Sequence, residues 1–256
     1  MRPILYDLWG IPISAFGVFL LLAFLVAISV GRGSAQRRLG VDPNWTLDLA
    51  LYAIIAGIVG GRIGYIAANL GQFIVEPLKM VTIWRDGGLV YYGALAAALL
   101  LVRVAVRSKQ ISCAGLLDAF APALVLGYGV AMIGALLHGL FAGRPTGVPW
   151  AIEMFLEQRH PTQIYLMLAS VAILVILRAQ RGRQLASGAL FVLALFLQAV
   201  ARFAVDFFVE GPAVIGPLTA GQLASGAVVL VTAVLLVRLQ RQAPVIPPEP
   251  AAEAPA

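Results

Sequence analysis

The chain has 256 residues, of which 61% are hydrophobic and only 12% charged, with a mean hydropathy of +0.93. No water-soluble domain buries that much apolar surface, so lipid must be its main solvent. The formal charge of +6 does not point to nucleic acid, because the arginines stand in short clusters between apolar runs rather than along one polar face.

Runs apolar enough to cross a bilayer, which takes about 20 residues each, occupy 11–31, 47–70, 88–106, 112–142, 162–178, 186–208 and 217–238. They predict an all-α, polytopic integral membrane protein of about seven transmembrane helices over residues 1–242. A disordered Pro/Ala-rich tail, "APVIPPEPAAEAPA", is expected at 243–256. The first run lacks a small-residue cleavage site and is followed by arginines, so it reads as a retained anchor. The fourth is too long for one straight helix: either Pro122, Gly127 and Gly129 kink it or its far end leaves the membrane. Cys113 is the sole cysteine, which excludes an internal disulfide or a multi-cysteine metal site; it is expected to pack inside a helix.

Basic residues set a direction. Arg32, Arg37, Arg38, Arg103, Arg107, Lys109, Arg178, Arg181, Arg183, Arg238 and Arg241 follow the odd-numbered runs, against Arg2, Lys79, Arg85, Arg144 and Arg159 on the other side. The richer side is expected to be cytoplasmic, placing the N-terminus outside and the C-terminus in the cytoplasm. Trp9, Trp45, Trp84 and Trp150 all fall near the ends of runs, where an indole favours the interface.

Several short stretches carry chemistry. "GIVGGRIGY" (57–65) pairs Gly57 with Gly61 and Gly60 with Gly64, a spacing for close helix packing. Arg62 among them needs an ion pair or an anion. "WRDGGLVYYGAL" (84–95) brings Tyr91 and Tyr92 to the start of the third run, as an interfacial belt or as site groups. Asp118, in "LDAFAP", is an acid within a span and reads as structural. "LLHGLFAGRPTGVPW" (136–150) carries His138 and Arg144 beside Gly143; His138 alone reads as a hydrogen-bonded interface residue. "RHPTQIY" (159–165) sets His160 and Gln163 at the mouth of the fifth run. In "ARFAVDFF" (201–208), Arg202 and Asp206 share a helical face. They form either a purely structural pair or a guanidinium fork for an anionic headgroup, oriented by the carboxylate.

Together with "GPLTAGQLASG" (216–226), these stretches resemble, in order from the first run to the seventh, the bacterial prolipoprotein diacylglyceryl transferases. "RHPTQ" followed by Ile and Tyr is the most specific piece. The resemblance implies transfer of the diacylglyceryl group of phosphatidylglycerol to the lipobox cysteine thiol of prolipoproteins, the first step of lipoprotein maturation, in the bacterial inner membrane. It implies phosphatidylglycerol, prolipoprotein signal peptides and membrane lipids as partners, and no metal or organic cofactor. Arg202, His160, Tyr92 and His138 would be catalytic. Arg62, Gly143, Arg144, Asp206, Tyr91 and Gln163 would bind substrate.

The chain departs from the family pattern at several positions. Tyr92 replaces a histidine, Met132, Ala135, His138 and Leu140 fall where signature polar residues stand, and Leu166 and Phe16 replace a glutamate and a tyrosine. Asp206 is a shortened acid, and Val209 replaces an arginine. The alternative implied is a non-catalytic homologue that binds lipid or lipoprotein.

Overall fold

The computed structural model describes residues 3–8, 11–80, 90–180 and 185–242. Trp9, the "WRDGG" stretch with Trp84 and Arg85, Arg2, Arg181, Arg183 and the Pro/Ala-rich tail lie outside the described residues, as do the side chains of Tyr91 and Tyr92.

Helices dominate: α1 (Ala15–Leu39), α2 (Pro43–Ala68), α3 (Leu70–Val75), α4 (Tyr91–Ser108), α5 (Cys113–His138), α6 (Thr162–Ala179), α7 (Ala189–Val205) and α8 (Ala220–Gln242). Among the described residues, five are long and apolar enough to cross a membrane: α1, α2, α5, α6 and the Ala220–Arg241 part of α8. α7 is apolar but shorter, at 17 residues. The fold is thus that of a helical, polytopic membrane protein, with a helix at each of the seven expected runs. Large aliphatics such as Leu21, Ile63, Leu168 and Leu230 face outward along these helices, as a lipid solvent permits.

Among the described residues are three small antiparallel hairpins, one before α1 and two between helices: β1 (Ile4–Leu8) with β2 (Ile11–Ser14), β3 (Ile152–Met154) with β4 (Glu157–Arg159), and β5 (Ala213–Ile215) with β6 (Leu218–Thr219). The first run therefore does not begin as helix; its first residues form β2. The fourth run ends as helix at His138, and its far end turns away through Gly139 and Phe141, both at positive φ. Pro122 sits inside the helix.

The chain divides into two compact units. In the unit of residues 21–127, α2 and α4 pack through their glycines. A β-carbon on Gly60 would meet Ala97 Cβ and stand 2.5 Å from the Gly93 carbonyl oxygen, while one on Gly64 would come within 3.3 Å of Val90 Cβ. The small-residue spacing of α2 thus lets two backbones touch, as read from the sequence. Ala35, Leu49, Val106, Leu116 and Ala119 form the core beneath, with Cys113 packed against it as expected.

The other unit, residues 1–20 with 128–256, centres on Met132, Ala135, Leu166 and Val205, against which Phe16, Tyr128, Leu140, Tyr165 and Met167 pack. α8 opens with a reciprocal cap: Thr219 N–H donates to Gln222 Oε1 at 2.9 Å and Gln222 N–H to Thr219 Oγ1 at 3.3 Å. Two of the helix's unpaired N–H donors are satisfied in this way.

Candidate functional site

A three-segment backbone ladder in the second unit builds the site. The stretch 142–146 lies between 158–160 and 208–210: Arg144 N–H donates to Phe208 O (2.7 Å), Glu210 N–H to Ala142 O (3.0 Å), His160 N–H to Arg144 O (3.2 Å) and Thr146 N–H to Gln158 O (2.9 Å). Gly143 is buried in the middle strand. A β-carbon there would strike the carbonyl oxygen and Cβ of His160, so glycine is what allows the segments to close.

Arg159 ties the same ladder from the side. It donates to Gly143 O at 3.1 Å and pairs with Glu210 and with Glu157. The hydrogen bond to Glu210, above all, holds its pKa above the ordinary arginine value, so it stays charged throughout. Arg144 is exposed, with Nε 3.3 Å from Val209 O. Its outer N–H groups keep their donor capacity.

His160 is half-buried among rings. Its Nδ1 is 3.1 Å from Tyr165 Oη, its ring centroid is 4.9 Å from that of Phe208, and Trp150 Nε1 donates to the same Tyr165 oxygen at 2.8 Å. If His160 carries its proton on Nδ1 and donates it to Tyr165, Nε2 keeps a free lone pair. Next in the chain, Thr162 and Gln163 bond the Phe141 and Leu140 carbonyls respectively, fixing the loop that leaves α5. Gln163 is fully buried, and its Oε1 has no donor among the described residues.

The ring of Phe141 covers a second cationic group: Arg202 Cζ lies 4.4 Å from its centroid. Arg202 occupies the last turn of α7, where a cation suits the helix dipole. Its Nε stands 2.8 Å from Asp206 Oδ1, with 23% of the arginine side chain exposed and 2% of the aspartate. The contact is close but its N–H is not aimed at the oxygen, so both Asp206 oxygens lack a hydrogen-bond donor among the described residues. The pair is electrostatic and leaves donor capacity on the guanidinium. Asp206 also abuts the first turn of α8, where a β-carbon on Gly221 would stand 2.5 Å from Oδ2. That end of a helix favours an anion.

Tyr128, on α5, approaches both the Arg202 guanidinium and the Gln198 amide. Neither Tyr128 nor Gln198 was singled out from the sequence. The available signal was that Gln198 precedes Arg202 by the same four residues that separate Arg202 from Asp206.

The remaining candidates are His138, in this same unit, and Arg62, Tyr91 and Tyr92, in the unit of residues 21–127. His138 lines a pocket of about 550 Å³ with Pro3, Glu153, Phe155 and Leu156. Its Nδ1 is buried with no hydrogen-bond partner among the described residues, and its ring is 6.4 Å from that of Phe16. Among the described residues, no hydrogen bond or ring contact joins His138 to His160 or Arg202. Arg62, in the unit of residues 21–127, is buried, with Nε donating to Met80 O at 2.9 Å and a terminal nitrogen to Lys79 O. Its guanidinium carbon lies 5.4 Å and 5.6 Å from the ring centroids of Phe73 and Tyr65. Much of its donor capacity thus closes a turn of its own unit. Tyr91 and Tyr92 begin α4 in that same unit.

The family model of prolipoprotein diacylglyceryl transferases matches residues 3–238. The chain is 32% identical over 215 residues to the phosphatidylglycerol–prolipoprotein diacylglyceryl transferase of Geobacter sulfurreducens, covering 81% of this chain and 82% of that protein. It is 32% identical over 210 residues to the protein of that name from Chromohalobacter salexigens, covering 80% and 78%. To the one from Corynebacterium diphtheriae it is 27% identical over 224 residues, covering 78% and 79%. Matched by that model over nearly all of its apolar length, the chain belongs to the prolipoprotein diacylglyceryl transferase family.

Proposed function

We propose that this protein transfers the diacylglyceryl group of phosphatidylglycerol to the lipobox cysteine of a prolipoprotein. The cysteine sulfur bonds to the glyceryl carbon as that carbon's bond to the phosphate oxygen breaks. Glycerol phosphate leaves, and the thiol proton passes to His160 Nε2. Arg202 holds the phosphate as negative charge shifts onto its oxygens, a role strongest where water is excluded. Gln163 and Gly143 frame the site, Arg144 meets the headgroup from the exposed side, and Asp206 orients Arg202.

The observation that carries this reading is the Arg202 guanidinium, held under Phe141 beside a carboxylate that does not saturate it. Residues 1–242 act as one transferase domain whose seven helices cross the bacterial inner membrane, with the N-terminus outside and the C-terminus cytoplasmic. The test is transfer of labelled diacylglyceryl from phosphatidylglycerol to a lipobox peptide by the purified protein. No product above a detergent blank, with an active relative alongside, would sink the catalytic reading.

One observation favours a second reading, a non-catalytic homologue that binds lipid or a lipoprotein precursor. Met132, Ala135, Leu140, Leu166 and Phe16, at positions where the family pattern has polar groups, share one apolar cluster. Binding of phosphatidylglycerol without transfer in the same assay would select it.

A further inference from the structure

On α7, Gln198, Arg202 and Asp206 succeed one another at four-residue intervals, so they share one face about 6 Å apart along the axis. Gln198 is the innermost, more than two turns into the helix from its Asp206 end. Its side-chain amide is unusual for an apolar helix: both Nε2 and Oε1 are shielded, and neither has a hydrogen-bond partner among the described residues. The Tyr128 hydroxyl is near enough to interact with the amide, but neither amide atom has a well-aligned hydrogen bond among the described residues. A buried primary amide left unpaired is costly, and leucine would serve the packing better.

We propose that Gln198 is a specificity-determining residue that donates from Nε2 to an ester carbonyl of the bound diacylglycerol moiety. This rests on the reading that Arg202 holds a phospholipid phosphate. In a glycerophospholipid the ester carbonyls are separated from phosphorus by the glycerol carbons, a span of about one helical turn. With the phosphate on Arg202, the carbonyls fall one turn further in, at Gln198, and the headgroup hydroxyls one turn out, at Asp206. The Asp206 oxygens, ion-paired with Arg202 but taking no hydrogen bond among the described residues, accept hydroxyl donors there. One helix face therefore reads hydroxyl, phosphate and ester in register. An ether-linked lipid, which lacks the carbonyl acceptors, leaves Gln198 unpaired and binds less well.

The experiment compares dioleoyl phosphatidylglycerol with its dialkyl ether analogue, each titrated onto the full-length protein in phosphatidylcholine nanodiscs. The wild type is expected to bind the diester about five- to tenfold more tightly, the worth of one good hydrogen bond. Gln198→Leu should lose that preference by weakening the diester alone, leaving ether binding unchanged. Gln198→Asn, which draws the amide back by one methylene, should lose it as well and serves if the leucine variant misfolds. In the infrared, the carbonyl band of carbon-13-labelled diester should shift to lower frequency on the wild type and not on either variant. An unchanged diester-to-ether ratio in both folded variants, or equal binding of the two lipids by wild type, overturns the role of Gln198 and leaves the phosphate reading standing. Failure of wild type to bind either lipid overturns both.

Discussion

Gly143 lies flat against the backbone of His160, so that a β-carbon at position 143 would stand 2.7 Å from His160 Cβ and nearer still to its carbonyl oxygen. The neighbour is backbone inside a hydrogen-bonded ladder, not the movable end of a side chain, so it cannot give way cheaply. Gly143→Ala is expected to cost about 1–3 kcal/mol in stability and to displace His160. Thermal unfolding and lipid binding should fall together. An alanine variant with wild-type unfolding and function would show that the ladder is looser than described.

The α2–α4 contact offers a test in the other unit. A β-carbon on Gly60 meets both Ala97 Cβ and the Gly93 carbonyl oxygen, so Gly60→Val must push the helices apart. Membranes supply little hydrophobic force to compensate, because lipid tails are as apolar as the helix surfaces. Gly60→Val should lower the unfolding midpoint markedly. Gly71→Ala, at a position with nothing near its β-carbon, should be neutral and serves as the control.

What could be read from sequence follows from how local each signal was. The glycine spacing of α2 and the Arg202–Asp206 pairing repeat at helical intervals, and both appear as expected. That the far end of the fourth run leaves the helix is one of two alternatives open in the sequence; the place of the turn is not legible, since one of its two positive-φ residues, Phe141 beside Gly139, is not a glycine. Arg62 reads from the sequence as needing an ion pair or an anion, and two of its acceptors are the backbone carbonyls of residues 79 and 80. Backbone oxygens carry no sequence signature. Tyr128 carries no signal in the sequence, because its approach to Arg202 depends on how α5 and α7 pack.

Orientation makes a prediction independent of chemistry. In a Cys113→Ala background, cysteines at Ser34 and Ser108 should be shielded from a membrane-impermeant thiol reagent in intact cells, while one at Thr146 reacts. Both serines lie near the cytoplasmic ends expected for α1 and α4, and Thr146 lies in the loop between α5 and α6. The reverse labelling pattern would overturn the direction drawn from the basic residues.

Gly221 tests Asp206 without changing a charge. A β-carbon there would stand 2.5 Å from Asp206 Oδ2, so Gly221→Ala forces the carboxylate away from the first turn of α8. The shift weakens its hold on Arg202 and its place at the positive end of the helix dipole. A several-fold loss of phosphatidylglycerol binding is expected, with a smaller loss of stability. Retention of full binding would mean that the position of the carboxylate does not matter.

Arg202 separates a structural pair from a phosphate clamp. Its guanidinium carries a charge in an apolar helix, offset in part by Asp206 one turn on and covered by the Phe141 ring. If offsetting that carboxylate were its whole purpose, Arg202→Lys would keep the charge and much of the cation–π contact, and function would survive. A clamp is stricter, because lysine is a point charge without the planar fork that meets two phosphoryl oxygens at once. Arg202→Lys is therefore expected to express and unfold near normally, yet to lose at least about tenfold in phosphatidylglycerol binding, the equivalent of about 1.4 kcal/mol. Asp206→Asn leaves the guanidinium in place and should bind better than Arg202→Lys, its main cost falling on stability because a buried charge partner is removed. Titration of both folded variants with phosphatidylglycerol decides the matter: wild-type affinity in Arg202→Lys would return this arginine to a structural role.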